Sequence, residues 1–516
     1  MVTTTRWRAR VPRARSLPDV LAFLRTLDPD ARLVVPPGPP GEAPVIDGIT
    51  LDSGAAAPGD LFAGLPGTRR HGAEYAVDAA RAGARVVLSD RVCLVLPTLV
   101  VAAPRRVLGP LASWLHGDPS AALDVHGVTG TNGKTSTVHL LAAGLRAAGR
   151  RVGWAGSLEL RAGDRARVAE RTTVEAPAVQ EFLASARDAG ADDVALEVSS
   201  HGLALDRVAG TRFRSAVFTN FSPDHLDLHG DLESYYATKA SLFTPDRCEL
   251  AVVGVDGEAG RRLAGETRCP VVTFAAGGGP ADWRALDVHA GITGTRFRLC
   301  GPGVDRQVRL RLLGAHQVDN VLAAVATAAA AGVDPDDALR GIEEVGVVPG
   351  RLERIDVGQP FLALVDFAHN VGGQRRLLPF LRSLTGGRLI VVLGATGERD
   401  PAKRADLGTY VGAQADVAVV TDESAYSDDP AALRAAVADA AQRVGRAEVV
   451  VEPDRARAFA VAVAAAAPGD VVLVAGRGAD RVQVSAAGRR EFDDRIALRR
   501  ALVERAAQAW DAPVAG

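Results

Sequence analysis

Between residues 123 and 146 an apolar run gives way to a glycine-rich turn and then to helical periodicity, a succession that commits this part of the chain to an α/β core. Leu123–Val128 reads as a buried strand, and Thr135–Arg146 as a helix with Val138, Leu141 and Leu145 on one face. The run between them, Gly130-Thr-Asn-Gly-Lys-Thr135, aims backbone N–H groups and a helix N-terminus at one spot, which suits a triphosphate. Lys134 would span the phosphates as a compact point charge, and Thr135 would present its hydroxyl to Mg²⁺. Val128 occupies the first glycine position of the strict G-x-x-x-x-G-K-[ST] pattern, so the turn departs from it. Gly130, Thr131, Asn132, Gly133, Lys134, Thr135 and Ser136 are the candidate phosphate-binding residues.

Lysine usage points to the same turn. Of 60 basic residues 57 are arginine, and the three lysines, Lys134, Lys239 and Lys403, each lie in a motif. Strand and helix patterns then alternate through Val194–Val198, Ala216–Thr219 and Ala251–Val255, and again through Phe361–Phe367, Leu389–Leu393, Val417–Thr421, Val449–Val451 and Val471–Ala475. The fold class expected is α/β, with three domains. A flexible basic tail over 1–20 precedes a small α/β domain over 21–122, a central domain with a mostly parallel sheet over 123–348, and a doubly wound, Rossmann-like domain over 349–516. At 516 residues and 47% hydrophobic, the chain has ample material for several cores. A net charge of −2 offers no basic field for nucleic acid, no 18-residue apolar run spans a membrane, and four cysteines without metal-ligand spacing fit a reducing cytoplasm.

Carboxylates at the C-terminal edge of a parallel sheet lie near its phosphate turn, where Mg²⁺ needs oxygen ligands. Glu197, near the end of Asp193–Val198, is placed there, and Ser199-Ser-His201 follows it. The next strand leads into Thr219-Asn-Phe-Ser-Pro-Asp-His-Leu-Asp-Leu-His229. His225 and His229, four apart, lack a third ligand for zinc at suitable spacing, so one imidazole beside metal and phosphate is the better reading.

These residues resemble the Mur ligases over nearly the whole chain. Ile49-Thr-Leu-Asp-Ser53 with Pro58-Gly-Asp-Leu-Phe62 is similar to the family's uridine-nucleotide module, and Gly130–Thr135 to its ATP loop. Glu197-Val-Ser-Ser-His201 through Arg207 resembles the substrate strand, and Tyr236-Ala-Thr-Lys239 the segment holding a carbamylated lysine. Leu313-Gly-Ala-His-Gln-Val-Asp-Asn320, Pro349-Gly-Arg-Leu-Glu353, Asp366-Phe-Ala-His369 and Gly397-Glu-Arg-Asp400 continue the match in order.

The resemblance implies an ATP-dependent ligase of cell-wall precursor synthesis. ATP phosphorylates a peptide's terminal carboxylate, and an amino acid's amine displaces phosphate from the acyl phosphate. Lys134, Glu197, His225, Lys239, Asn320, Arg351 and Asp366 would be catalytic. Two Mg²⁺ ions would be held by Thr135 and Glu197, and by His225 and a carbamate on Lys239. Leu51, Ser53, Thr172, Thr173, Ser199 and Arg207 would contact a UDP-muramoyl-peptide. The resemblance further implies a cytoplasmic monomer that closes its domains before chemistry.

The acceptor pocket departs from the family's diaminopimelate pattern. Where that pattern has Asp-Asn-Pro-Arg, this chain has Glu423-Ser-Ala-Tyr426, and Gly-Lys-Gly-His-Glu becomes Gly476-Arg-Gly-Ala-Asp480. Arg399 remains to hold the acceptor's α-carboxylate. Losing the arginine that pairs with a distal carboxylate makes diaminopimelate a poor acceptor. Asp422, Glu423, Asp428, Asp429 and Asp480 could favour a cationic side chain instead, although Asp428 or Asp429 before Pro430 also reads as a helix cap. Phe367, Asn370-Val-Gly-Gly373, Gln317 and Thr172-Thr-Val-Glu-Ala176 are further departures, compatible with a paralogue forming an amide in specialised metabolism. A non-catalytic nucleotide-binding regulator would not need the retained catalytic set.

Overall fold

A computed structural model describes residues 7, 14–37, 44–67, 70–399 and 401–511. Among these residues the chain builds three large sheets in sequence order, beside two two-stranded ones. The first has five strands in the order Arg32–Val34, Thr98–Val100, Val86–Ser89, Asp60–Ala63 and Gly48–Thr50, parallel except for the antiparallel first pair. Helices Leu17–Leu27 and Pro104–Leu115 pack with it in one core.

The expected flexible tail over 1–20 is corrected at two places. Trp7 is buried in the core of the central sheet, and a helix begins at Leu17, capped by the Ser16 hydroxyl on the Asp19 N–H with proline in its first turn. Such a cap and Pro18 make a good helix start, which the run of basic residues before it obscured.

The central sheet has eleven strands. Asp124–Thr129 lies between Asp193–Glu197 and Ser215–Phe218, with parallel pairing from Val152–Ala155 through to Trp283–Gly291. Antiparallel strands extend both edges: the hairpin Glu159–Ala162 and Arg165–Val168 on one side, and Trp283–Gly291, Gly294–Gly301 and Val304–Leu310 on the other. The sheet is mostly parallel, as expected. The meander on the far side was hidden because its outward positions are polar and its buried ones too widely spaced to form an apolar run.

The third sheet runs Glu353–Arg354, Leu362–Asp366, Val471–Ala475, Leu389–Leu393, Val417–Val420 and Glu448–Val451, parallel except at Glu353–Arg354. Leu389–Leu393 and Val471–Ala475 are buried along their whole length, as apolar strands covered by helices on both faces must be. A separate hairpin, Val482–Ser485 with Gly488–Glu491, adds to this part of the chain. Among the described residues no helix is long and apolar enough to cross a membrane.

Candidate active site

The carboxyl ends of the central and third sheets face one cleft of about 2330 Å³. Ligands collect there in open α/β sheets because the turns leaving the strands diverge. The cleft is lined by residues 131–136 of the phosphate turn, by Thr172, Thr173, Glu197, Ser199, Arg207, His225, Asn320, Arg351 and Asp366, and by Arg399, Glu423, Tyr426, Gly476 and Asp480. Asp52, between Leu51 and Ser53, brings the first sheet's turn to its edge. Gly130 and Lys239 lie behind this lining.

The phosphate turn leaves Thr129 and enters the helix Lys134–Ala147. Gly130 (φ 143°) and Gly133 (φ 91°) take backbone conformations that a side chain resists. A Cβ on Gly130 would lie 1.9 Å from Thr219 Oγ1, and one on Gly133 2.3 Å from Asn320 Oδ1. The turn is tied down from the next strand: the Asn132 N–H donates to Asn220 Oδ1 at 3.0 Å, while Thr219 Oγ1 and Asn220 Nδ2 donate to the Asn132 carbonyl. Lys134 Nζ folds onto the carbonyls of Gly130 and Thr131, 3.0 Å from each. Burial lowers its pKa, opposed by Glu197 and Asp224.

Beside the helix start, Thr135 Oγ1 donates to Glu197 Oε2 at 3.1 Å and accepts from Arg351 Nη2 at 2.8 Å. Glu197 also takes the Ser157 N–H at 2.8 Å and the Ser157 hydroxyl at 3.2 Å. The set of hydroxyl and carboxylate oxygens fits a hard cation such as Mg²⁺. Ser157 escaped sequence reading, since a serine after a glycine gives no motif. Thr173 Oγ1 bridges the Glu197 carbonyl and the Ser199 N–H, and Ser199 caps the short helix Ser200–Ala204. Arg207 donates to the Thr173 carbonyl and pairs with Glu175, which also meets Arg105 and Arg171.

Asp224, inside the Thr219–His229 motif, is a hub. Lys403 Nζ donates to it at 2.7 Å and Asn370 Nδ2 at 2.8 Å, both from the third-sheet part of the chain. Burial would raise its pKa, but His369, His225 and Lys403 hold it well below the carboxylate range. Lys403, without a derivable role in the sequence, has its partner here. Asn370, a departure from the family pattern, also caps the helix Val371–Ser383. His225 (φ 52°) stacks edge-on against His201 at 4.7 Å, and burial pushes its pKa down against the opposing pull of Asp224.

Lys239 is 1% exposed. Its Nζ donates to the Gly130 carbonyl at 2.9 Å and lies 4.7 Å from the centre of the Tyr235 ring. Burial, reinforced by Lys134, lowers its pKa well below the usual lysine value. Asp366 ends its strand, accepting the N–H groups of Leu352 and Ala368 at 2.7 Å each, and burial raises its pKa. Asn320 donates to Gln317 and accepts from Thr137.

In the candidate acceptor pocket, Thr396 Oγ1 lies 2.8 Å from both Glu423 oxygens. Burial raises the Glu423 pKa to about 7, with Asp480 adding to the push, and burial raises that of Asp480 as well. Three acids proposed for this pocket are engaged elsewhere: Asp422 pairs with Arg434, Asp428 with Arg404, and Asp429 caps the helix Pro430–Val444. Arg477 is also turned away, buried against Ser424, the Phe492 carbonyl and Asp494.

Models of three families match the chain: "Mur ligase family, catalytic domain" over 45–103, "Mur ligase middle domain" over 128–328, and "Mur ligase, glutamate ligase domain" over 350–478. A UDP-N-acetylmuramoyl-L-alanyl-D-glutamate–2,6-diaminopimelate ligase of Streptomyces avermitilis is 47% identical, covering 89% of this chain and 92% of its own. A UDP-N-acetylmuramyl-tripeptide synthetase of Leifsonia xyli is 39% identical, covering 88% and 92%. A solved structure of a diaminopimelate ligase of the same description superposes with a TM-score of 0.62 at 26% identity, over 91% of this chain and 98% of that one.

Proposed function

The chain belongs to the Mur ligase family, whose members are ATP-dependent ligases forming C–N bonds, and on that premise we propose a reaction for its cleft. The protein joins an amino acid to the terminal carboxylate of a UDP-N-acetylmuramoyl-peptide. The supporting observation is the convergence of three unlike surfaces on one cleft: the phosphate turn, the Thr172–Thr173–Ser199–Arg207 wall, and the Arg399–Glu423–Tyr426–Asp480 pocket. A carboxylate oxygen attacks the γ-phosphorus of ATP and ADP leaves. The acceptor's amine then attacks the acyl carbon, the C–O bond to phosphate breaks, and the amine's proton passes to solvent.

Lys134 and Arg351 concentrate positive charge where phosphoryl oxygens pass. Thr135 and Glu197 would hold Mg²⁺, which supplies charge neutralisation at the transferring group. Lys239 is read as a carbamate, formed when its amine nitrogen bonds to the carbon of CO₂ and releases a proton. Burial favours this, because only the neutral amine is a nucleophile. The carbamate and His225 would hold a second Mg²⁺. Leu51, Ser53, Thr172, Thr173, Ser199 and Arg207 bind the UDP-peptide, and Asn320 and Asp366 shape the ATP side.

For the acceptor, Tyr426 in place of arginine leaves a distal carboxylate without its partner, while Glu423 and Asp480 offer two carboxylates to a cation. We read the acceptor as an amino acid whose side-chain end is cationic and carries no carboxylate. The relatives bearing diaminopimelate in their names point the other way. Incubation with ATP, UDP-N-acetylmuramoyl-dipeptide and diaminopimelate, lysine or ornithine, read by phosphate release and product mass, decides. Turnover with none sinks the cell-wall reading, and preference for diaminopimelate sinks the acceptor reading alone.

A further inference from the structure

The hairpin Glu159–Ala162 and Arg165–Val168 forms the outer edge of the central sheet, yet it joins the rest through two residue pairs, Leu160 with Ala155 and Arg161 with Trp154. A two-stranded hairpin is marginal by itself, so one so lightly attached needs a brace. Both ends of this hairpin enter the cleft. Ser157, just before it, holds Glu197 and meets Thr172 Oγ1 at 3.1 Å, and residues 167–173 leaving it line the cleft wall.

Trp7 sits against the hairpin. It is 4% exposed, shares a core with Leu160, Ala162 and Phe182, and meets the Phe182 ring edge-on at 5.8 Å. Arg165 crosses it, with its guanidinium carbon 5.0 Å from the ring centre and Nη2 donating to the Trp7 carbonyl at 2.7 Å. A tryptophan buries a large rigid surface at small entropic cost, which is what a brace requires.

We propose that Trp7 is a positioning residue for the UDP-peptide, acting through this hairpin on Ser157 and residues 167–173. The proposal rests on the ligase reading for the identity of that substrate. Its test compares the wild type with Trp7→Ala, Trp7→Phe and Arg165→Met. Calorimetry measures the binding of UDP-N-acetylmuramoyl-dipeptide and of ADP, and amide hydrogen exchange follows residues 157–173. Trp7→Ala is expected to weaken UDP-peptide binding by about tenfold, and to affect the binding of ADP, measured without Mg²⁺ so that Glu197 is not engaged, far less. Exchange should rise in 157–173 and not in 130–135. Trp7→Phe should restore binding, and Arg165→Met, which keeps the indole in place, should reproduce a smaller part of the defect. Equal losses for both ligands, or unchanged exchange in 157–173 for Trp7→Ala and Arg165→Met, would overturn the proposal. Failure of the wild type to bind the UDP-peptide would instead strike the ligase reading, leaving the exchange result to decide whether Trp7 braces the hairpin.

Discussion

Replacing Lys403 by methionine removes one of two side-chain hydrogen bonds to Asp224 that reach across from the third-sheet part of the chain. Breaking a fully buried ion pair costs about 3–5 kcal/mol because the remaining charge is stranded. Asp224 is 5% exposed in its side chain but Lys403 29%, and Asp224 keeps Asn370 Nδ2 and the His225 N–H. The expected cost is therefore smaller, about 1–3 kcal/mol, set against the arrangement that joins the two sheets, or roughly 5- to 150-fold in its population. Phosphate release at saturating substrates should fall by about 5- to 150-fold in Lys403→Met, the joined arrangement being the reactive one. A double-mutant cycle with Asp224→Asn separates this contact from any direct contact of Lys403 with substrate. Coupling above about 1 kcal/mol is expected, and strict additivity, or a kcat within twofold of wild type, would refute the reasoning.

Lys239→Met should abolish phosphate release while the thermal transition changes little, since an uncharged chain of similar length fills the buried space but cannot form a carbamate; full activity would end the carbamate reading. Glu423, raised from the ordinary 4.5 to about 7, is protonated in the empty pocket below that pH. If a cationic acceptor binds its carboxylate, the acceptor's KM should fall as pH rises through about 7, and Glu423→Gln should flatten that profile. The same shift means that the folded state holds this proton more tightly than the unfolded one. Its stabilising contribution is then full below pH 4.5 and lost as pH rises to about 7, visible as a small drop in denaturation midpoint absent from Glu423→Gln. Gly133→Ala combines φ 91°, which costs an L residue about 1–2 kcal/mol, with a Cβ 2.3 Å from Asn320 Oδ1; calorimetry should show ATP affinity down by at least tenfold.

The phosphate turn was legible in the sequence because its chemistry is local. A buried strand, two glycines forced to positive φ, a lysine and a hydroxyl lie within a dozen residues, and their order alone aims N–H groups at one point. The parallel strands were legible for a related reason, since burial on both faces leaves uninterrupted apolar runs such as Leu389–Leu393. Their bounds shift by a residue or two: Leu362–Asp366 is observed for Phe361–Phe367, and Lys134–Ala147 for Thr135–Arg146. Half-exposed strands such as Val304–Leu310 and Arg165–Val168 carry too much charge to stand out.

By itself, then, the sequence determined the α/β class, the glycine-rich turn from strand to helix, the family, and the acids and imidazoles brought to the strand ends. Tertiary structure alone decided which of the pocket's acids are free to meet a ligand. Pro430 already marked Asp428 or Asp429 locally as a helix cap, and Asp429 is that cap, but nothing local set Asp422 apart from Glu423; Arg434 claims Asp422 and Arg404 claims Asp428. Likewise Lys403 owes its meaning to Asp224, 179 residues away, and Lys239 owes its unusual amine to burial behind the Gly130 carbonyl. Desolvation and long-range pairing depend on what the whole chain packs around a group, and no window of sequence contains that.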